Sequence, residues 1–263
     1  MRERVALLSF DLEEFDLPLE HGLALSADEQ IRVSSEGCDA LTSLLDAMDV
    51  RATFFVTAHY ARARPEQVRA LARRHEIASH GMQHGSFRPS DLAESRSVLE
   101  EIAGVPVRGF RRPRMEATDE DSLRAAGYAY DASENPTWIP GRYNNFFMRR
   151  TVRTSSGLVR IPASVTPLVR FPLFWLSFKN VPPVVYRAAS ALNLASDGYL
   201  ALYFHPWELA DLSGFGLPRH VAGLSGTRLL NRMSGYLAWL GARAGYVTHA
   251  EFAASRESPD AAA

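Results

Sequence analysis

Short apolar runs rich in Val, Ile, Leu, Phe and Tyr recur along the chain, and between many of them apolar residues return every three or four positions. The runs predict strands at Val5 to Asp11, Ala52 to Ala58, Glu76 to His80, Val107 to Arg111, Ala129 to Ser133, Leu158 to Ala163, Leu200 to His205 and Tyr246 to Thr248. The spacers predict helices. Leu41, Leu44, Leu45 and Met48 make one stripe on Glu36 to Ala47. Pro65 opens a helix to Arg74, where its missing N–H is harmless. Ser90 to Ala103, Thr118 to Ala126 and Leu224 to Arg243 follow, with Thr118 and Asp121 as a capping-box analogue and Gly127 as a stop. Strand followed by helix, repeated over most of the length, predicts an α/β fold with a parallel sheet, closed or nearly closed into a barrel. No repeat or linker interrupts it, so the expectation is one domain over residues 1–254 and a flexible tail over 255–263.

Composition narrows the chemistry. The 29 basic and 30 acidic residues leave a net charge of -1, which gives no global attraction to phosphate backbones and makes nucleic acid an unexpected partner. Cys38 is the one cysteine, so neither a disulfide framework nor a thiolate-rich zinc cluster is available, and any metal must use histidines and carboxylates. Cys38 precedes apolar helical residues and reads as core rather than nucleophile. The apolar stretch Val5 to Phe10 is too short for an export signal, which points to a cytoplasmic protein. No run approaches the roughly 20 apolar residues of a membrane span.

Four segments put polar residues at the carboxyl ends of predicted strands, where parallel α/β folds assemble active sites. In Phe10-Asp11-Leu12-Glu13-Glu14 the strand period of two sends Asp11 and Glu13 to one side and Leu12 and Glu14 to the other. The bland reading is a solvated strand exit. His80 and His84 end another strand at i and i+4, beside a turn-permitting Gly81, and on one helical turn both could reach one metal ion. Two histidines and a carboxylate are the ligand set of a catalytic zinc site with open positions, and Glu13 could supply the carboxylate. His205 follows the strongly β-forming Leu202-Tyr203-Phe204, and alone reads as a core histidine beside Trp207. Arg111, at the end of Gly109-Phe110-Arg111-Arg112-Pro113, could orient a carboxylate, although 28 arginines against one lysine weaken any single arginine as a signal.

In order along the chain these segments resemble the polysaccharide deacetylase family, carbohydrate esterase family four. That family has an acid-rich first motif, a His-x-x-x-His second motif, an Arg-x-Pro third motif and a late strand ending in histidine. Here they look like Asp11-Leu12-Glu13, His80 to His84, Arg111-Arg112-Pro113 and Leu202 to His205. Typical members read Thr-Phe-Asp-Asp-Gly, whereas this chain reads Ser9-Phe10-Asp11-Leu12-Glu13, so the likeness is to a branch with an Asp-x-Glu first motif. The resemblance implies a distorted (β/α) barrel of about seven parallel strands with the active site at their C-terminal ends. It also implies N-deacetylation with a divalent metal, zinc foremost and cobalt, manganese or nickel as alternatives, held by Glu13, His80 and His84. Asp11 would be the general base, Arg111 its orienting partner and His205 the general acid. Asp131, in Tyr130-Asp131-Ala132-Ser133, corresponds either to the acid that orients the late histidine or to a strand-end turn.

The implied substrate is an acetylated amino sugar of a polysaccharide, oligosaccharide or lipid-linked precursor. Acid-spaced branches include hydrolases of non-sugar amides or cyclic imides, and a non-catalytic carbohydrate-binding protein is a third reading. Ile161 to Ala188 mixes apolar residues with five prolines, which disfavours one continuous helix. It reads either as a buried cap on the barrel or as an exposed patch rimmed by Arg170 and Lys179, suited to a homo-oligomer partner or to a lipid-linked sugar at a membrane surface. The loop Asn135 to Asn145 could stack on a sugar through Trp138 or tuck Trp138 into the core.

Overall fold

The structure is a computed structural model describing residues 4–141 and 143–257. Its strands in chain order are β1 (Val5–Leu12), β2 (Thr53–Val56), β3 (Glu76–Ser79), β4 (Gly109–Phe110), β5 (Tyr130–Asp131), β6 (Trp138–Ile139), β7 (Tyr143–Asn144), β8 (Arg153–Ser155), β9 (Leu158–Arg160), β10 (Tyr199–Phe204) and β11 (Gly245–Val247). Seven of them run parallel in the order β10-β1-β2-β3-β4-β5-β9, curled into a distorted barrel, as the strand–helix alternation implies. β11 adds a parallel pairing to the start of β1, and β8 lies antiparallel on the β9 edge. The gap between β9 and β10 is closed without a strand. Ser164 donates its N–H to the Ala201 carbonyl at 2.9 Å, and its Oγ accepts from the Ala201 N–H at 2.9 Å.

Strand periodicity separates two cores. On β1, Ala6, Leu8, Phe10 and Leu12 face outward into the layer between sheet and helices, while Leu7 faces into the barrel. The barrel interior is filled by Leu7, Phe55, Ala78, Tyr130, Ala132, Val159, Ile161, Tyr199 and Ala201, and helix His249–Glu257 plugs one end with Phe252 and Ala253. The inward parity that seats Leu7 also carries Asp11 inward at the carboxyl end of β1. On β10 it carries His205 past Tyr199 and Ala201. The apolar filling stops where these polar residues begin.

Differences from the sequence-based elements have local causes. The strands β4 and β5 shrink to two residues each, because only Gly109, Phe110, Tyr130 and Asp131 find ladder partners. The first long helix begins earlier, at Ala27, because the Ser26 side chain caps it by accepting from the Glu29 N–H at 3.2 Å. The predicted Thr118 cap is displaced to Asp119, which accepts from the Ser122 N–H at 2.8 Å, so the helix is Glu120–Ala125. In the proline-rich segment two helices form, Trp175–Asn180 and Pro183–Asp197; Pro182 and Pro183 sit at the second helix's start, where they interrupt no hydrogen bond. The helix that ends the described chain runs to Glu257, past the expected boundary at 254, and the remainder of that tail lies outside the described residues. Cys38 is fully buried, and burial pushes its thiol up to about 12, in keeping with a core role. No helix among the described residues is long and apolar enough to cross a membrane.

Candidate active site

Asp11, Glu13, His80, His84 and His205 line one small cavity of about 30 Å³ at the carboxyl ends of the strands, together with Arg114, Met115, Tyr143, Trp175 and Tyr203. That volume holds a water molecule or two. Arg111 lies beneath it. Its Nη1 donates to Asp11 Oδ1 at 2.5 Å and its Nε to the Ala132 carbonyl at 3.2 Å, and its guanidinium stacks 3.9 Å above the Phe55 ring. Both partners of the Asp11–Arg111 pair are almost fully buried, so the geometry is fixed by packing as well as charge.

The two histidines of the second motif do not share a helical turn. His80 leaves β3, Gly81 takes a left-handed φ of +79°, and the chain folds back through an isolated bridge between Gln83 and Ser86. Glycine adopts that conformation without steric cost, which is why the turn can bring His84 back beside His80. The turn is tied down by Glu14, whose carboxylate accepts from Thr57 Oγ1 at 3.2 Å and from the His84 N–H at 3.4 Å. The imidazoles end 6.3 Å apart and nearly parallel.

Their ring orientations follow from their partners. His80 Nδ1 donates to the Arg111 carbonyl at 2.8 Å, and His84 Nδ1 donates to the Asp16 carboxylate at 2.8 Å, since neither partner can donate. Each Nε2 is thereby directed at Glu13, whose Oε2 lies 2.9 Å from His80 and 3.6 Å from His84. Burial alone would raise the Glu13 pKa, but the surrounding histidines hold it far below the usual carboxylate range. Burial alone would lower His84, and the Glu13 and Asp16 carboxylates outweigh it, carrying His84 up to about 9. Among the described residues no three His, Cys, Asp or Glu side chains stand grouped as a formed ion site. The donor set nevertheless fits a divalent cation: two imidazoles with Nδ1 engaged, and one carboxylate kept ionised between their Nε2 atoms. Asp16 and Glu14 were not singled out by the sequence patterns, and no periodic signal marks Asp16.

On the other flank, His205 stacks on Trp207 with centroids 4.8 Å apart and meets Trp175 edge-on at 5.1 Å. Its Nε2 is 3.8 Å from Glu13 Oε1, and its Nδ1 is 3.3 Å from Glu208 Oε1. Glu208 is itself buried; burial raises its pKa, but Lys179 at 3.3 Å and His205 outweigh that and keep it lowered. Lys179 therefore does not rim an exposed patch but is buried against Glu208. Asp131 does not orient His205. It sits between the inward Tyr130 and Ala132, hence faces outward, where it accepts from Arg160 Nη1 at 2.8 Å across the ladder and from Ser133. The acid on His205 is Glu208, three residues later on the Pro206–Leu209 turn, an i,i+3 spacing readable in His205-Pro206-Trp207-Glu208.

A larger cavity of about 450 Å³ opens beside the site between Glu20, Arg114, Glu116, Gly141 and Tyr143, and shares Arg114 and Tyr143 with it. Another of the same size, around His59, Arg62, Gln83 and Arg88, contains none of Asp11, Glu13, His80, His84 and His205.

A curled parallel barrel whose strand ends converge on buried acids and histidines places the protein in the α/β-barrel class. Residues 3–131 match the model of the polysaccharide deacetylase family. No curated protein matches the chain. Among solved structures, a Mycobacterium smegmatis protein assigned as a polysaccharide deacetylase is similar over 97% of this chain and 90% of its own, at 22% identity and a TM-score of 0.66. PuuE allantoinase is similar over 96% and 90%, at 17% identity and 0.63. A Bacillus anthracis protein described as a pseudoenzyme of carbohydrate esterase family four is similar over 96% of this chain and 66% of its own, at 10% identity and 0.54. At these identities the structural likenesses establish the fold.

Proposed function

We propose that the protein is a metal-dependent hydrolase that removes an N-acyl group, in the first instance acetyl, from an amino sugar of a glycan or glycan precursor. The observation that carries this reading is one cavity lined by an acid held by arginine, Asp11, and a histidine held by a carboxylate, His205, on either side in sequence of the Glu13, His80 and His84 set. Glu13, His80 and His84 would hold the cation, zinc before cobalt, manganese or nickel; when bound it polarises the scissile carbonyl and acidifies water. Asp11 accepts the proton from the attacking water, and Arg111 keeps its carboxylate aimed into the cavity. His205 delivers a proton from Nε2 to the departing nitrogen as the carbon–nitrogen bond breaks, while Glu208 accepts from Nδ1 and balances the imidazolium charge. Water adds to the acyl carbon, and the products are a carboxylate and a free amine. Tyr143, Met115 and Trp175 wall the reaction off from bulk water.

The test is acetate release from acetylated amino-sugar oligomers by metal-supplemented wild type beside a His80→Ala, His84→Ala double variant, with metal content measured on both. The expected result is near-stoichiometric metal and acetate release in the wild type alone. Metal in the wild type with turnover only of non-sugar amides or cyclic imides would move the substrate class. Equal, negligible metal in both would favour a binding protein that retains the fold.

A further inference from the structure

The carboxyl face of the barrel carries four large apolar side chains that the core does not use. Phe147 is 96% exposed, Leu168 89%, Val169 76% and Trp138 58%. Trp138 is thus not tucked into the core. The four belong to one joint. Thr137 Oγ1 donates to the Arg170 carbonyl at 3.1 Å, and Arg170 Nη1 donates to the Met148 carbonyl at 2.6 Å and the Pro136 carbonyl at 3.4 Å. The Arg170 guanidinium also lies 5.5 Å from the Phe146 ring. The β6–β7 hairpin, the Phe146–Met148 turn and the Val165–Pro172 excursion are therefore tied around one arginine.

Backbone strain marks the same place. Leu168 and Arg170 both take left-handed φ, +63° and +54°, a conformation that costs a non-glycine residue of order 1 kcal/mol or more. The surrounding bonds hold a leucine and a valine out in water at that cost. Tyr143, on the hairpin with Trp138, lines the catalytic cavity, so the apolar rim borders the site.

Charge identifies the occupant. From Asn135 to Ser196 the sequence contains eight basic residues and no Asp or Glu, within a chain of net charge -1. Arg150, Arg153, Arg160 and Lys179 are paired with acids from outside that stretch. Arg149, Arg170 and Arg187 have no acidic partner among the described residues, and exposed Arg149 stands two positions from Phe147. An aromatic and aliphatic rim beside exposed Arg149, with the neighbouring Glu20 and Glu116 carboxylates paired to Arg114 and Arg112, suits the interface of an anionic lipid bilayer, where Trp and Phe enter the headgroup layer and cations meet the lipid charge.

We propose that the rim of Trp138, Phe147, Leu168 and Val169 docks the protein on an anionic membrane surface, with the cavity opening beside the bilayer. The idea stands apart from the deacetylation reading, because its readout is binding rather than acetate.

The experiment is sedimentation of the protein with vesicles of phosphatidylglycerol and phosphatidylcholine, against phosphatidylcholine alone, for wild type and a Leu168→Asp, Val169→Asp double variant. Both positions are exposed, and an unchanged thermal midpoint checks that the variant folds. Wild type is expected to partition onto the anionic vesicles, less so at high salt, and the variant to lose about tenfold or more of that partitioning. Brominated lipid should quench Trp138 fluorescence, and Trp138→Phe should remove the quenching. Absence of vesicle binding, or equal binding by the variant, overturns the proposal. So does a solution dimer that the double variant abolishes, which would make the rim a contact between two copies.

Discussion

The turn after β10 brings Glu208 onto His205, three positions back in the chain, and makes it the partner with most consequence at the scale of single residues. It has one oxygen on His205 Nδ1 and the other facing Lys179, all three side chains withdrawn from water. Glu208→Gln keeps the shape and removes the charge that balances the imidazolium. We expect kcat to fall about tenfold to a hundredfold, as for other carboxylates that orient an active imidazole, with bound metal unchanged. Glu208→Asp, which keeps the charge, should recover part of the lost rate. Steady-state rates and metal content of both variants check this. An equal loss in both variants would leave Glu208 a merely structural role.

Among the elements, helix Ala27–Ala47 determines where His205 sits. Gly37 faces the backbone of the turn that follows His205, and a β-carbon there would fall 1.9 Å from the Pro206 carbonyl oxygen. In an exposed helix Gly→Ala would stabilise by roughly 0.5–1 kcal/mol. Here the overlap with backbone decides the sign. Gly37→Ala should destabilise by about 1–3 kcal/mol and lower turnover by displacing the His205 turn, measured by urea denaturation and initial rates. The strand ends were legible in advance because period-two alternation is local: Leu7 in, therefore Asp11 in. The same rule places Asp131 outside, between Tyr130 and Ala132, so the sequence contained the signal that separates it from the site. Gly81 was legible as permitting a turn, but which turn joins His80 to His84 was not, because glycine is compatible with several conformations and Glu14 selects one.

For the whole molecule, pH couples the barrel's interior to its stability. His249 is fully buried against Phe55 and Tyr130, and burial together with nearby Arg111 holds its pKa well below the ordinary value of 6.5. Above pH 6.5 it is neutral in both states and costs nothing. As pH falls below 6.5 the unfolded chain takes up a proton that the native state refuses, so stability declines, by at most about 1.4 kcal/mol per pH unit for one proton. His84 in the metal-free protein has the opposite sign: its raised pKa contributes stability that is complete below 6.5 and lost as pH rises through about 9. His249→Gln should flatten the acid side of the curve and leave the alkaline side alone, as read from urea midpoints between pH 5 and 9.5. The alternation of strand and helix, the inward parity of Asp11 and the glycine at the His80–His84 turn are properties of short segments, and the sequence alone determined them through local sterics and periodicity. The partnerships of Asp16 with His84, Glu208 with His205 and Ser164 with Ala201, and the joint around Arg170, link residues across turns whose geometry no local period specifies. Only the tertiary structure decided these, because each depends on where separate segments are held by the packing of the rest of the barrel.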